Sequence, residues 1–258
     1  MRLMKRILSA AAVLALSASL LVGCSSGTAS SVPVSASSAA ESTVSSVEET
    51  ASSAVDENEA AAAQLLNDLT GSYQELWPVI LADEYKQTWL DDCTALVGED
   101  NAEAAFEKLS SMVTGDVYGE DAVKAYANGG GAYFCGFTNS LGILTFDGET
   151  STISGTDKDG NVLFSHTYHY IGMEPVRGLY EFQSDDADSG EFTYFFLAPD
   201  TSAETYHIEF RYGSDAEALS QYDTGEYAYW LASGISTDCD QTMIDNCIEL
   251  FCTENLAG

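Results

Sequence analysis

Apolar residues recur at helical intervals from Leu65 onward: Leu65, Leu66, Leu69, Tyr73, Leu76 and Trp77, then Ile80 and Leu81. This spacing puts them on one face of a helix. Gly71 and Pro78 interrupt the run, which predicts two short helices in place of one. Residues 84–96 and 101–112 are predicted as further helices, the second with Phe106, Leu109 and Met112 on one face. After Gly115 the texture changes. Short runs of aromatic and β-branched residues, punctuated by Gly and Asn, occupy 131–137, 142–146, 151–156, 162–170, 178–183, 192–197 and 205–212. Alternation with regular turn signals predicts antiparallel strands of a meander or small barrel. Helical patterning returns over 214–221 and 241–252. Helices, then many strands, then helices make an α+β arrangement around one barrel-like sheet, with no internal repeat.

The N-terminal segment follows a different logic. Arg2, Lys5 and Arg6 precede an apolar run from Ile7 to Leu21 that is broken only by small residues and serines. Basic, then apolar, then small is the order of a secretory signal peptide, and the run is too short and Ser-rich for a stable membrane span. Leu21-Val22-Gly23-Cys24 resembles the bacterial lipobox, which makes Cys24 the expected lipidated first residue of the mature chain. Residues 24–60 are mostly Ser, Ala, Thr, Val and Glu without an aromatic. So little apolar surface cannot offset the entropy of ordering, so the stretch reads as a disordered tether that holds a domain off the lipid surface. From about Asn58 to Leu69 it turns Ala- and Leu-rich and begins a helix. The expected organisation is a lipoprotein signal over 1–23, a lipidated tether over 24–60 and one folded domain over 61–258. The expected location is the extracytoplasmic face of a cell membrane, reached through the lipid anchor only.

Charge narrows the partners. The chain has 9 Lys and Arg against 41 Asp and Glu, a net of −32, and loss of the three basic signal residues carries this to −35. Nucleic acid and anionic lipid would repel such a surface and are excluded as partners. The acidic excess itself is read as a solvating surface. Beyond Cys24, the cysteines are Cys93, Cys135, Cys239, Cys247 and Cys252. Their number is odd, so at least one is free or pairs between chains, and no CxxC spacing supports a zinc ribbon or a thioredoxin-type motif.

Motifs for catalysis are missing. Neither Gly-x-Ser-x-Gly nor His-Glu-x-x-His occurs, and three histidines without telling spacing support no triad. The chain is therefore expected not to be an enzyme. Gly129-Gly130-Gly131 lacks the Lys and Ser or Thr of a phosphate loop. Asp157-Lys158-Asp159-Gly160-Asn161 resembles the opening of a calcium loop, but Tyr168 stands where a bidentate Glu is needed, and Asp-Gly between two strands predicts a hairpin turn. One segment carries shape. In a strand over 205–212, Tyr206, Ile208, Phe210 and Tyr212 share an apolar face, and His207, Glu209 and Arg211 share the other. His-x-Glu on one face can ligate zinc. Arg211 beside it would repel a cation and can pair with Glu209, so that segment alone reads as a solvated face.

Several segments together resemble the ZinT (YodA) family of exported zinc- and cadmium-binding proteins. Leu66-Asn67-Asp68-Leu69-Thr70-Gly71-Ser72-Tyr73-Gln74-Glu75-Leu76-Trp77-Pro78 is similar to the family's opening. Arg177-Gly178-Leu179-Tyr180-Glu181-Phe182 resembles its Arg-Tyr-Leu-Phe-Glu strand, and Phe195-Phe196-Leu197-Ala198-Pro199 its His-Ile-Ile-Ala-Pro stretch. His207-Ile208-Glu209-Phe210-Arg211-Tyr212-Gly213-Ser214-Asp215 resembles its His-Phe-His strand ending in Gly-Asn-Asp. The resemblance covers most of 65–258 and implies a lipocalin-like antiparallel β-barrel with flanking helices.

It also implies a function. The family's three zinc histidines fall on Phe195, which cannot ligate, on His207, and on Glu209, a carboxylate alternative. The family's His-rich loop is absent. The expected metal ligands are His207 and Glu209 at one end of the barrel, with the third ligand from His169 or His166 or from solvent. The function this implies is scavenging or carrying a divalent transition metal, zinc first, with a metal-uptake transporter as partner. Two readings stand beside it: a lipocalin-like barrel holding a small molecule, and a surface interaction module without metal.

Overall fold

The computed structural model describes residues 57–114, 133–199 and 207–256. The signal segment, Cys24, nearly all of the tether, the Gly129–Gly131 run and Tyr206 lie outside the described residues.

Helix α1 covers 57–68. Strand β1 (Gly71–Glu75) follows, then the short helix α2 (Leu76–Ile80), a 3-10 turn (Asp83–Tyr85), α3 (Lys86–Val97) and α4 (Glu99–Thr114). Six strands come next: β2 (Ile143–Asp147), β3 (Thr152–Thr156), β4 (Val162–Met173), β5 (Tyr180–Ser184), β6 (Tyr194–Leu197) and β7 (His207–Gly213). Helix α5 (Ala216–Leu219), strand β8 (Ala232–Ser236) and helix α6 (Gln241–Leu256) complete the chain. Each strand pairs antiparallel with the next, and β8 returns to β1, with Tyr73 opposite Ser236. The result is a closed, eight-stranded, up-and-down barrel with helices on its outside, the topology of lipocalin-type barrels.

Three sequence expectations are corrected. Residues 71–75 form β1 and not a helix: pairing with both β2 and β8 overrides the helical spacing of Tyr73, Leu76 and Trp77. Over the described part of 131–137 there is no strand, only a single bridge from Phe134 to Trp230. Strand β8 was not foreseen. The Asp157–Asn161 turn is as expected: the Asp157 carboxylate accepts the N–H groups of Asp159 and Asn161, and Gly160 adopts φ +85°.

Two cores result. The barrel interior is aromatic. Phe146, Phe182, Phe195, Phe210 and Tyr212 are all at most 1% exposed, so large aromatic side chains pack the lumen. Leu65 and Leu66 of α1 and Leu69 just after it join this core. A Cβ on Gly148, in the β2–β3 turn, would lie 2.4 Å from the Cα of Asn67, so glycine is required where that turn meets α1. The second core lies between the barrel wall and the helices. It joins Trp77 and Ile80 of α2, Trp89 of α3, Leu109 of α4 and Ile248 of α6 to Ile235 of β8. Trp89 is fully buried, and its indole N–H donates to the Ile80 carbonyl at 2.7 Å, satisfying the polar atom inside this layer.

All five described cysteines are free. Cys93 of α3 and Cys252 of α6 place their sulfurs 3.9 Å apart, both buried. Burial pushes both thiols up, so little thiolate is available and oxidation is slow. Prolonged treatment with a diamide-type oxidant is expected to remove these two thiols and raise Tm, with up to about 4 kcal/mol of stabilisation from the long loop closed. Mass spectrometry of the denatured, alkylated chain checks this. Alkylation of both Cys93 and Cys252 after oxidation would show that no bond had formed.

Candidate metal site

Strand β7 carries the residues singled out in the sequence, and its alternation decides where they point. Ile208, Phe210 and Tyr212 face the aromatic interior, where Tyr212 stacks on Phe195 at 5.4 Å. His207, Glu209 and Arg211 therefore face outward. This face is covered by helices and loops instead of water. His207 pairs with Ile235 and Glu209 with Ser233, both on the β8 wall beneath the helical layer. His207 and Glu209 line a cavity of about 110 Å³ between that wall and helices α2 and α6, whose other walls include Trp77, Cys135, Phe251 and Glu254.

The two thiols at this cavity are poor ligands as they stand. Burial pushes the Cys135 thiol up to about 12, and the Glu209 charge adds to the shift. Burial pushes Cys247 up to about 12 as well. Both are protonated at neutral pH, and a metal would have to displace those protons. Cys135 reaches the cavity because its carbonyl accepts the Ser233 N–H at 3.0 Å, drawing the segment against β8. No local sequence pattern announces that contact, which is why Cys135 was missed. Cys247 and Glu254 come from the far end of the chain on α6, and the same reason applies to them.

The solvated-face expectation fails at Arg211, which is fully buried. Its guanidinium donates to the carbonyls of Leu219, Gln221 and Tyr227 and stacks over the Tyr222 ring at 4.4 Å. It thus anchors the chain that follows β7.

His169 and His166 are elsewhere. Both lie on β4, three strands from β7 around the barrel, about 14 Å of wall at ordinary strand spacing. Being three residues apart they point to opposite faces. His166 stacks beside Phe164, with its Nδ1 2.7 Å from the Asp186 carboxylate, and His169 is exposed, with its Nδ1 2.6 Å from Asp185. Zinc ligands stand about 2 Å from the metal, so neither histidine can complete a site with His207 and Glu209. Phe195, at the first family histidine position, lies on the opposite face of the sheet from both. Among the described residues no three His, Cys, Asp or Glu side chains gather so as to hold a metal ion. What the structure brings together is the pair His207 and Glu209, outside the barrel and not in its mouth.

In class, this is an α+β protein built on a lipocalin-type barrel. The sequence matches no protein-family model and no curated protein. Among solved structures it is similar to the Zn(II)-bound ZinT-like domain of AdcA from Streptococcus pneumoniae, with 15% identity over 74% of this chain and 89% of that one and a TM-score of 0.43. It is also similar to Zn(II)-bound AdcA from the same organism, with 14% identity and a TM-score of 0.42, covering 72% of this chain and 35% of that one.

Proposed function

We propose that this protein is an exported lipoprotein, anchored through Cys24, whose barrel domain binds a divalent transition metal ion as cargo and acts by binding and not by catalysis. The single observation that carries the reading is the placement of His207 and Glu209 together on one cavity of about 110 Å³. An imidazole nitrogen and a carboxylate oxygen suit zinc, the first candidate, and water would fill the remaining positions. The net charge of −32 raises the local cation concentration and favours encounter. With two protein ligands, affinity is weaker than at a three-histidine site. An extracytoplasmic binder of this kind would deliver its ion to a metal-uptake transporter. Against the small-molecule reading of the lumen stands the aromatic packing inside the barrel.

The test is a calorimetric zinc titration of the metal-free chain and of His207→Ala. Zinc binding that weakens at least tenfold in the variant is expected. Equal affinity in both, or no binding by the unmodified chain, removes the site.

A further inference from the structure

A second cavity, of about 360 Å³, adjoins the first and shares Glu209 with it. Its walls are Arg177, Leu179, Ala198, Pro199, Glu209 and Leu231. It is bipolar, with one guanidinium and one carboxylate among apolar side chains.

Arg177 is held in an unusually defined way. It projects from the turn after β4, and Glu174 fixes that turn. The Glu174 carboxylate is 1% exposed and accepts the N–H groups of Val176 and Arg177, each at 2.7 Å. The Tyr222 hydroxyl donates to the same carboxylate at 3.3 Å. The guanidinium itself packs against two rings, 4.8 Å from the centre of Tyr133 and 4.6 Å from that of Tyr222. A guanidinium's planar fork of N–H donors matches a carboxylate. Arg211 lies 4.4 Å from the Tyr222 ring and adds positive potential to the cluster. Among the described residues Arg177 forms no salt bridge.

We propose that this cavity binds a free α-amino acid, with the carboxylate on the Arg177 fork, the ammonium toward Glu209 and the side chain against Leu179, Ala198, Pro199 and Leu231. Charge decides for a zwitterion over a simple anion. A chain of net charge −32 repels anions, and Glu209 in the same cavity would oppose a second carboxylate. A molecule of no net charge avoids both terms and uses both poles. The volume is at the lower end of small-molecule sites, suited to a ligand of amino-acid size. The site requires no metal, and a zinc ion held by His207 and Glu209 would compete with the ammonium for the same carboxylate.

The test is equilibrium dialysis of each common amino acid with the full chain in EDTA, which separates the result from the zinc reading. At least one is expected to bind. For that one, the C-terminal amide and the N-acetyl derivative should bind about tenfold or more weakly, the effect of losing a charged hydrogen bond. Arg177→Met should lose affinity to a similar degree with an unchanged circular dichroism spectrum, because the side chain is exposed. Arg177→Lys, which keeps the charge and loses the fork, should fall between and serves if the Met variant does not fold. Absence of binding by every amino acid, equal binding of the amide, or unaltered affinity in both Arg177 variants would overturn the proposal.

Discussion

Arg211→Met lowers the stability of the domain by about 3–5 kcal/mol, the loss expected when a buried charged donor is withdrawn from several acceptors at once. Arg211 is fully buried, and burial depresses its pKa, so a desolvation cost is already present in the native state. That cost argues for a gain on replacing it by an apolar side chain of similar length. The acceptors decide the sign. The carbonyls of Leu219, at the end of α5, and of Gln221 and Tyr227, in the irregular chain after it, take hydrogen bonds from this guanidinium. Methionine donates nothing, so those carbonyls stay buried without a partner or the segment opens to water. Urea denaturation and thermal melting check the result. A fall in Tm of about 10 °C corresponds to the lower part of this range for a domain of this size. An unchanged midpoint would mean that the segment from Ser214 to Trp230 holds itself in place without Arg211.

Phe195→His is expected to weaken the fold by about 2–4 kcal/mol and to leave zinc affinity where it was. By resemblance the substitution puts back an imidazole at a family ligand position. In this chain, however, Phe195 is fully buried within the barrel, 5.5 Å from the Tyr168 ring and 5.4 Å from that of Tyr212. Its face of the sheet is opposite that of His207 and Glu209. The imidazole would sit among aromatic rings with its nitrogens desolvated, costing both packing and hydrogen bonds. A combined zinc titration and chemical denaturation of the variant tests this. Tighter zinc binding would show that the ligands converge inside the barrel and would displace the wall site.

The sequence made the long helices and most of the strands readable. Helices α3, α4 and α6 carry apolar residues at sustained helical spacing, and strands β2 to β6 alternate between turn residues. Strand β8 escaped for a physical reason. Ala232-Ser233-Gly234-Ile235-Ser236 is small and is buried on both faces, between the lumen on one side and the helical layer on the other, so nothing alternates. Strand β1 escaped because five residues with one aromatic could not outweigh the helical spacing around them. At the site, two-residue periodicity correctly grouped His207 with Glu209. It could not say which face was inside, nor that helices would cover the outer one, because both depend on where α2 and α6 come to rest. For the same reason the distance from β4 to β7 was beyond reach, and His169 could be counted as a ligand only until the strand order was known.

The seam that closes the barrel, where Tyr73 meets Ser236, joins the first strand to the last. Neither β1 nor β8 is covered along both edges until nearly all of the domain's chain is present. A polypeptide emerging from its N-terminus must therefore carry α3, α4 and the β2–β7 meander with the barrel still open. Its most non-local pairings form at the end, against the largest loop-closure entropy in the molecule. The sheet becomes edge-free only with that step, and until then both of its outer strands can pair with another chain. For this protein, acquiring the native fold and becoming safe from self-association are one late event.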